Sequence, residues 1–291
     1  MKIGFIGFGE AAFNIALGLG SEGVTGIVAY DVMMKDATMG KLVRSRANEA
    51  KVELLQDARV LAKGAEIIFV AVPSSFALDV CSEIKNEINS DKLYVDVSAS
   101  TPTVKQQIWE AVRGTGVQFV DAAMLGSLPK DKHKVPITAS GNGAKQFHDI
   151  MTPFGMKITL AGDKAGAASA IKLVRSIFMK GVAALMIEML QAAEAYGVAG
   201  EVIASVGESM DGSSFTANLD RLVTGSAIHC QRRAAELKGS ITMLEDKGIG
   251  AEMTVATKQK LEMLEPYKFA ERYVTHKPAG WTEIIDILKS K

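Results

Sequence analysis

The first twelve residues, Met1-Lys-Ile-Gly-Phe-Ile-Gly-Phe-Gly-Glu-Ala-Ala12, place a short apolar strand directly before a tight turn and an apolar helix. Each small residue of the turn has its own task. Gly7 permits the bend, Gly9 lets a phosphate approach the backbone, and Ala12 stays small where helix and strand touch. The helix N-terminus then offers free N–H groups and the positive end of its dipole to an anion. Asp31 closes the next apolar run 22 residues after Gly9, where a carboxylate can accept both hydroxyls of a ribose. A dinucleotide site is therefore expected, with contacts from Gly7, Phe8, Gly9, Glu10, Ala11 and Asp31. The bland reading of Asp31 is an aspartate that only caps its own turn. A carboxylate there repels a 2′-phosphate, and Val32 and Met33 supply no guanidinium, so NAD is favoured; Lys35 keeps NADP open.

The strand, turn, helix pattern repeats through the first half. Gly26–Tyr30 reads as a second strand. Glu66–Val72 is a nearly continuous apolar run, as a strand buried on both faces should be, and stops at Pro73. Leu93–Val97 and Val117–Val120 follow, and Val135–Ala139 reads as an edge strand because Pro136 cannot donate to a ladder. The expected fold is α/β, a Rossmann-type doubly wound and mostly parallel sheet, followed by an all-α second domain. A long helix over Ala165–Ala195 opens that second part, followed by helices near Glu201–Gly207, Phe215–Thr224, Ala227–Lys247, Ala251–Leu264 and Thr282–Lys289. Residues 1–161 are assigned to dinucleotide binding and 162–291 to a helical substrate and dimerisation domain. A helix of about 30 residues is longer than one small domain needs, so it is expected to span a cleft, pack against a second subunit, or both.

Composition excludes several partners. Lys plus Arg and Asp plus Glu are both 33 in 291 residues, so no net field favours nucleic acid. The two cysteines, Cys81 and Cys230, form no CxxC unit, and no export segment precedes the first strand, which fits a cytoplasmic protein. Ile177–Leu190 is interrupted by Lys180 and Glu188, too short for a membrane span. The histidines lack acidic or cysteine partners at ligand spacing, so no metal site is expected.

Small residues also end the later strands. Ala71, Val72 and Pro73 would let a nucleotide lie across the sheet edge, and Ser98 would approach both nicotinamide and substrate. Ser100 or Thr101 could instead do no more than cap the following helix. The segment Asp121–Ser127 reads as a loop whose Gly126 and Ser127 offer donors to a carboxylate. On the long helix Lys172, Arg175, Ser176 and Met179 share one face, suited to a small organic anion. A partly desolvated Lys172 beside Arg175 would have its pKa lowered, as proton exchange with a hydroxyl requires. His229, Arg232, Arg233 and Glu236 share a second face. They could bracket a carboxylate, or be ordinary surface residues with Glu236 paired to an arginine.

These residues together resemble the beta-hydroxyacid dehydrogenase superfamily, which includes 3-hydroxyisobutyrate and 6-phosphogluconate dehydrogenases. Ile3–Gly9 is similar to its first strand and turn, Val95–Pro102 to its nicotinamide-side segment, and Asp121–Ser127 to its substrate loop. Lys172 falls where that family has its catalytic lysine. Leu125 stands in place of the family's substrate-binding serine, and Ser176 in place of its asparagine. The Lys172–Gly181 and His229–Arg233 stretches resemble a phosphogluconate-dehydrogenase-like branch with its own C-terminal helical domain. The resemblance implies a homodimer.

The expected activity is hydride transfer between a nicotinamide cofactor and a small hydroxy or oxo acid. The alternatives are an imine or pyrroline-carboxylate-type reductase and a non-enzymatic NAD(P)-binding sensor.

Overall fold

Apolar runs that end at Gly, Pro or Asp become strands of one sheet in the computed structural model, which describes residues 1–290. The strands are β1 (Ile3–Ile6), β2 (Val28–Tyr30), β3 (Glu53–Leu54), β4 (Ile67–Val70), β5 (Leu93–Asp96), β6 (Gln118–Met124), β7 (Ile137–Ser140) and β8 (Ile158–Leu160). Their order is β3-β2-β1-β4-β5-β6-β7-β8, and only β6 and β7 pair antiparallel. β1, β4 and β5 are buried at every residue, which is why β1 and β4 read as unbroken apolar runs and β5 as an apolar run interrupted by Asp96. The chain first winds outward from β1 to β3 and then resumes at β4 on the other side. That reversal leaves a crevice beyond the C-terminal ends of β1 and β4, where sheets of this kind bind ligands.

The connections among these strands carry α1 (Glu10–Ser21), α2 (Met39–Ala50), α3 (Ala58–Gly64), α4 (Ala77–Ile84), α5 (Pro102–Val112), α6 (Leu128–Asp131) and α7 (Ala144–Met151). They bury two cores, one on each face of the sheet. In one, Ile15, Ala16 and Leu19 of α1 and Phe147 of α7 pack with Phe5 and Phe69, whose rings stack at 4.9 Å. Such a pair adds about 0.5–1.5 kcal/mol beyond its burial. In the other, Cys81, Ile84, Ile108 and Val112 of α4 and α5 pack with Ile68, Tyr94 and Phe119. Sequence chemistry starts α5 sharply: the Thr101 hydroxyl accepts from the Val104 amide, and Pro102 takes the first helical position.

The strand at Ile137–Ser140 is not an edge strand, contrary to the expectation from Pro136. Pro136 falls just before it, so its missing N–H breaks no ladder, while its carbonyl accepts from the Leu125 amide at 2.8 Å. The edge is β8, which has only three residues, two of them exposed. Asp121–Met124 is likewise strand rather than loop, because β7 pairs with it residue for residue from Asp121↔Ser140 to Met124↔Ile137.

Among the described residues no strand follows β8. The 29-residue α8 (Ala167–Ala195) comes first, then α9 (Ala199–Asp211), α10 (Phe215–Ile228), α11 (Cys230–Glu245), α12 (Glu252–Glu262), α13 (Phe269–Arg272) and α14 (Trp281–Lys289). The fold is thus a Rossmann-type α/β sheet followed by an all-α region. The chain divides into two compact units, Met1–Ile177 and the remainder from Phe178, so the division falls inside α8. Within the second unit Ala227, Phe269 and Ile284 form one core cluster and Cys230, Ala234 and Leu261 another. The single helix expected over Ala227–Lys247 is interrupted at His229, where φ −107° and ψ 24° leave the helical region. The break lets Ala227 enter one cluster and Cys230 the other. Glu188 on α8 accepts from the Met253 and Thr254 amides, both at 2.8 Å, and so caps α12 from a different helix.

Candidate active site

The glycine turn is built against the end of β4. Gly7 has φ +83°, and a Cβ there would lie 2.5 Å from the Ala71 carbonyl oxygen and 2.8 Å from Val72 Cγ1. Only glycine fits both the left-handed backbone and that close approach. Gly9 is different: a Cβ there would meet nothing within 4 Å. Packing inside the protein does not call for glycine at this position, whereas an approaching pyrophosphate would. No side chain caps α1, so its first amides are open to an anion. The Asp31 carboxylate accepts from the Phe8 amide at 2.6 Å and from the Met33 amide at 2.8 Å. It therefore caps its own turn and also pins the glycine loop, which places it beside the phosphate cradle. Open space over Gly9, an uncapped helix and a carboxylate at the end of β2 fit a dinucleotide. Ala71 and Val72 are half-buried and Pro73 is exposed beside them.

A second centre lies where β5, β6, α5 and α8 meet. Parallel pairing sets Asp96 and Asp121 in register on adjacent strands, and both are fully buried. Lys105 on α5 is also fully buried. Its Nζ lies 3.1 Å from Asp96 Oδ1 and 3.5 Å from Asp121 Oδ1, and it donates to the Asp96 carbonyl at 2.9 Å and to Ser98 Oγ at 3.4 Å. Asp121 also receives the Ser169 amide at 2.9 Å and the Ser169 hydroxyl at 2.7 Å, while Ser140 Oγ accepts from the Ala168 amide at 3.0 Å. The first turn of α8 is thereby bolted to β6 and β7.

Lys172 follows Ser169 by three residues on this anchored turn and is half-buried. Burial pushes its ammonium below the usual lysine range. The charge of Lys105 pushes it further down, and Asp121 opposes both. The expected desolvation is thus the main cause, while the cation that adds to it is Lys105 and not Arg175.

The remaining predicted residues are less concentrated. Ser98 is buried, and its hydroxyl is committed to Ser100 at 2.7 Å and to Lys105. Gly126 and Ser127 are exposed ahead of α6, Arg175 is exposed, and Ser176 is half-buried. His229, Arg232 and Arg233 belong to the second unit. His229 sits at the helix break, Arg232 pairs with Glu236 at 2.9 Å, and Arg233 donates to Ser226 Oγ at 2.8 Å. No group of three His, Cys, Asp or Glu among the described residues is arranged to hold a metal, and no described helix is long and apolar enough to cross a membrane.

Sequence reading missed Lys105, Asp96 and the anchoring role of Asp121. A signal was present: Lys105 shares a helix face with Ile108 and Val112, and both aspartates interrupt strand-like apolar runs.

Comparison with known proteins agrees with the nucleotide half. Residues 2–100 match the family described as NADP oxidoreductase, coenzyme F420-dependent. Residues 193–264 match a domain of unknown function, DUF1932. An uncharacterized 28.5 kDa protein of Methanothermus fervidus is 29% identical over 239 residues, 81% of this chain and 88% of that one. A solved structure of a conserved protein of unknown function, described as similar to 3-hydroxyacid dehydrogenases, is 28% identical with TM-score 0.64. It covers 91% of this chain and 98% of its own. The chain has the fold of a nicotinamide-dependent oxidoreductase. It is related to the beta-hydroxyacid dehydrogenase superfamily. An imine reductase variant from Myxococcus stipitatus in complex with NAD+ gives TM-score 0.72 over 99% of both chains at 16% identity, a likeness of fold alone.

Removing Asp121 leaves Lys105 with half its counter-charge and frees the start of α8. Asp121→Ala is expected to destabilise the protein by about 3–5 kcal/mol, read from urea unfolding monitored at the first unit's tryptophan, Trp109. A loss under about 1 kcal/mol would show that the ties at Asp121 do not hold α8.

Proposed function

We propose that the chain exchanges a hydride between a nicotinamide ring and a carbon bearing oxygen or nitrogen in a small organic substrate, with Lys172 handling the proton. One observation carries this reading: a half-buried amine, shifted toward its free form, stands on a helix turn fixed by buried hydrogen bonds. A bound cofactor supplies or accepts the hydride. Gly7, Phe8, Gly9, Glu10 and Ala11 hold its pyrophosphate, Asp31 its ribose, and Ala71, Val72, Pro73 and Ser98 the path toward the ring.

The first substrate class is a hydroxy acid or oxo acid. In the oxidative direction the free amine of Lys172 accepts the hydroxyl proton, and in reverse its ammonium returns it. Ser98, Gly126, Ser127, Arg175 and Ser176 are proposed to receive the anionic group, with His229, Arg232 and Arg233 as further recognition residues. Arg232 is the weakest of these because Glu236 already engages it. This reading keeps the phosphogluconate-dehydrogenase-like branch, with residues 1–161 for the nucleotide and 162–291 for substrate and dimerisation. The second class is an imine, a reading supported by the fold that this chain shares with imine reductases and reductive aminases over nine tenths or more of its length. An iminium carbon needs less proton assistance from a lysine. A sensor that binds NAD(P) without turnover is the reading from a different class.

NAD is proposed over NADP on the strength of Asp31. A homodimer is proposed from large apolar side chains left in water in each unit: Val174 and Ile177 at 65% and 75% exposure in the first, Phe215 and Ile187 at 61% and 60% in the second. A cytoplasmic location is supported by two buried free cysteines.

Four measurements test these points. Lys172→Met is expected to lower kcat with an oxo acid about 100-fold or more while leaving cofactor affinity unchanged; turnover of a cyclic imine that ignores the substitution selects the second class. Because the folded amine loses its proton below the ordinary lysine range, hydroxy-acid oxidation should rise with pH through that lowered value and then level off. Reduction should do the opposite, and a flat profile in both directions removes Lys172 from proton transfer. Asp31→Ala should weaken NADH binding by roughly tenfold and NADPH binding less, by titration calorimetry; equal losses would deny Asp31 a role in choosing the cofactor. Sedimentation velocity should give a dimer, and a monomer at micromolar concentration would refute that assignment.

A further inference from the structure

Both oxygens of Asp121 are already engaged. Ser169 Oγ donates to Oδ1 at 2.7 Å, the Ser169 amide and Ser140 Oγ donate to Oδ2 at 2.9 and 3.5 Å, and the Lys105 ammonium stands at ion-pair distance, 3.5 Å from Oδ1. The charge of Asp121 also reaches Lys172. Asp96 and Asp121 face Lys105 in the interior, two carboxylates on one ammonium. Without Lys105, two buried carboxylates would act on the Lys172 ammonium and hold it charged.

We propose that Lys105 is a positioning residue: its buried ammonium occupies Asp96 and one oxygen of Asp121, so that Asp121 anchors α8 without becoming the private counter-ion of Lys172. The amine is then left free for a ligand. The charged groups bearing on it are Lys105 from α5 and Asp121 from β6, with Asp96 of β5 acting through Lys105. This rests on the reading of Lys172 as the proton-transferring group, yet the state of the amine can be measured without any substrate.

The experiment is pH-dependent acylation of the full chain by a small amine-reactive ester, with labelling of each lysine peptide quantified by mass spectrometry. Exposed Lys41 serves as the internal reference. In the wild-type protein Lys172 should label with a midpoint below that of Lys41. Lys105→Met leaves net buried negative charge and risks the fold, so the deciding variant is Lys105→Met with Asp96→Asn, which removes one charge of each sign. In that variant Asp121 becomes available to Lys172, and Lys172 labelling at neutral pH should fall roughly tenfold relative to Lys41. A folded double variant with unchanged Lys172 labelling overturns the proposal, as does a wild-type midpoint equal to that of Lys41. A double variant that fails to fold also overturns it, because Lys105 would then be needed to build the site and not to tune it. Absence of turnover with both oxo acids and imines would refute the functional reading and leave this result standing.

Discussion

Asp121 is held by three elements at once: it pairs with the Lys105 ammonium of α5 and accepts hydrogen bonds from Ser140 of β7 and from both the amide and the hydroxyl of Ser169 on α8. A helix N-terminus buried beside a sheet would otherwise carry unmatched amides into the interior. The carboxylate answers that demand, and it fixes which residue of α8 comes next to the strand ends. The position of Lys172 follows from that register. Buried ion pairs of this kind add little net stability, since desolvation consumes most of the Coulombic gain. Their effect here is geometric and electrostatic: two carboxylates and one lysine are sealed in the interior, and a second lysine is half open.

The nucleotide side uses the same device more simply. Asp31 ties the amide of Phe8 to the end of β2, and Gly7 presses against Ala71 and Val72 at the end of β4. The crevice between β1 and β4 is thus walled by backbone, and the space over Gly9 is open. Both centres lie toward the same ends of neighbouring strands, as the proposed hydride transfer requires.

Much of this was legible because period and turn chemistry agree locally. β1, the glycine turn, α1 and Asp31 could be read from sequence, as could β4 and β5, since strands buried on both faces leave mostly apolar runs. β3 and β8 could not, because two or three residues set no period and β8 is largely exposed. Pro136 misled by proximity, lying one residue outside the ladder it seemed to weaken. Asp121–Met124 resembled a loop because its strand character depends on a partner, β7, whose residues pair with it from further along the chain. The network around Lys105 escaped for a similar reason: a lysine on an apolar helix face reads as a surface residue until two aspartates from different strands converge on it. His229 looked like part of one helical face, whereas the competing demands of two small cores break the helix there.

The substrate's reacting atom, oxygen or nitrogen, decides how much work is left for Lys172, and the central claim is that this amine meets the substrate at all. The most direct measurement is a crystal structure of the protein with nicotinamide cofactor and an unreactive substrate analogue bound together. The account predicts the nicotinamide C4 within about 3–3.5 Å of the substrate carbon, with Lys172 Nζ in hydrogen-bond reach of the atom that carbon bears. A closed complex in which Lys172 turns to bulk water, away from the bound analogue, would contradict it.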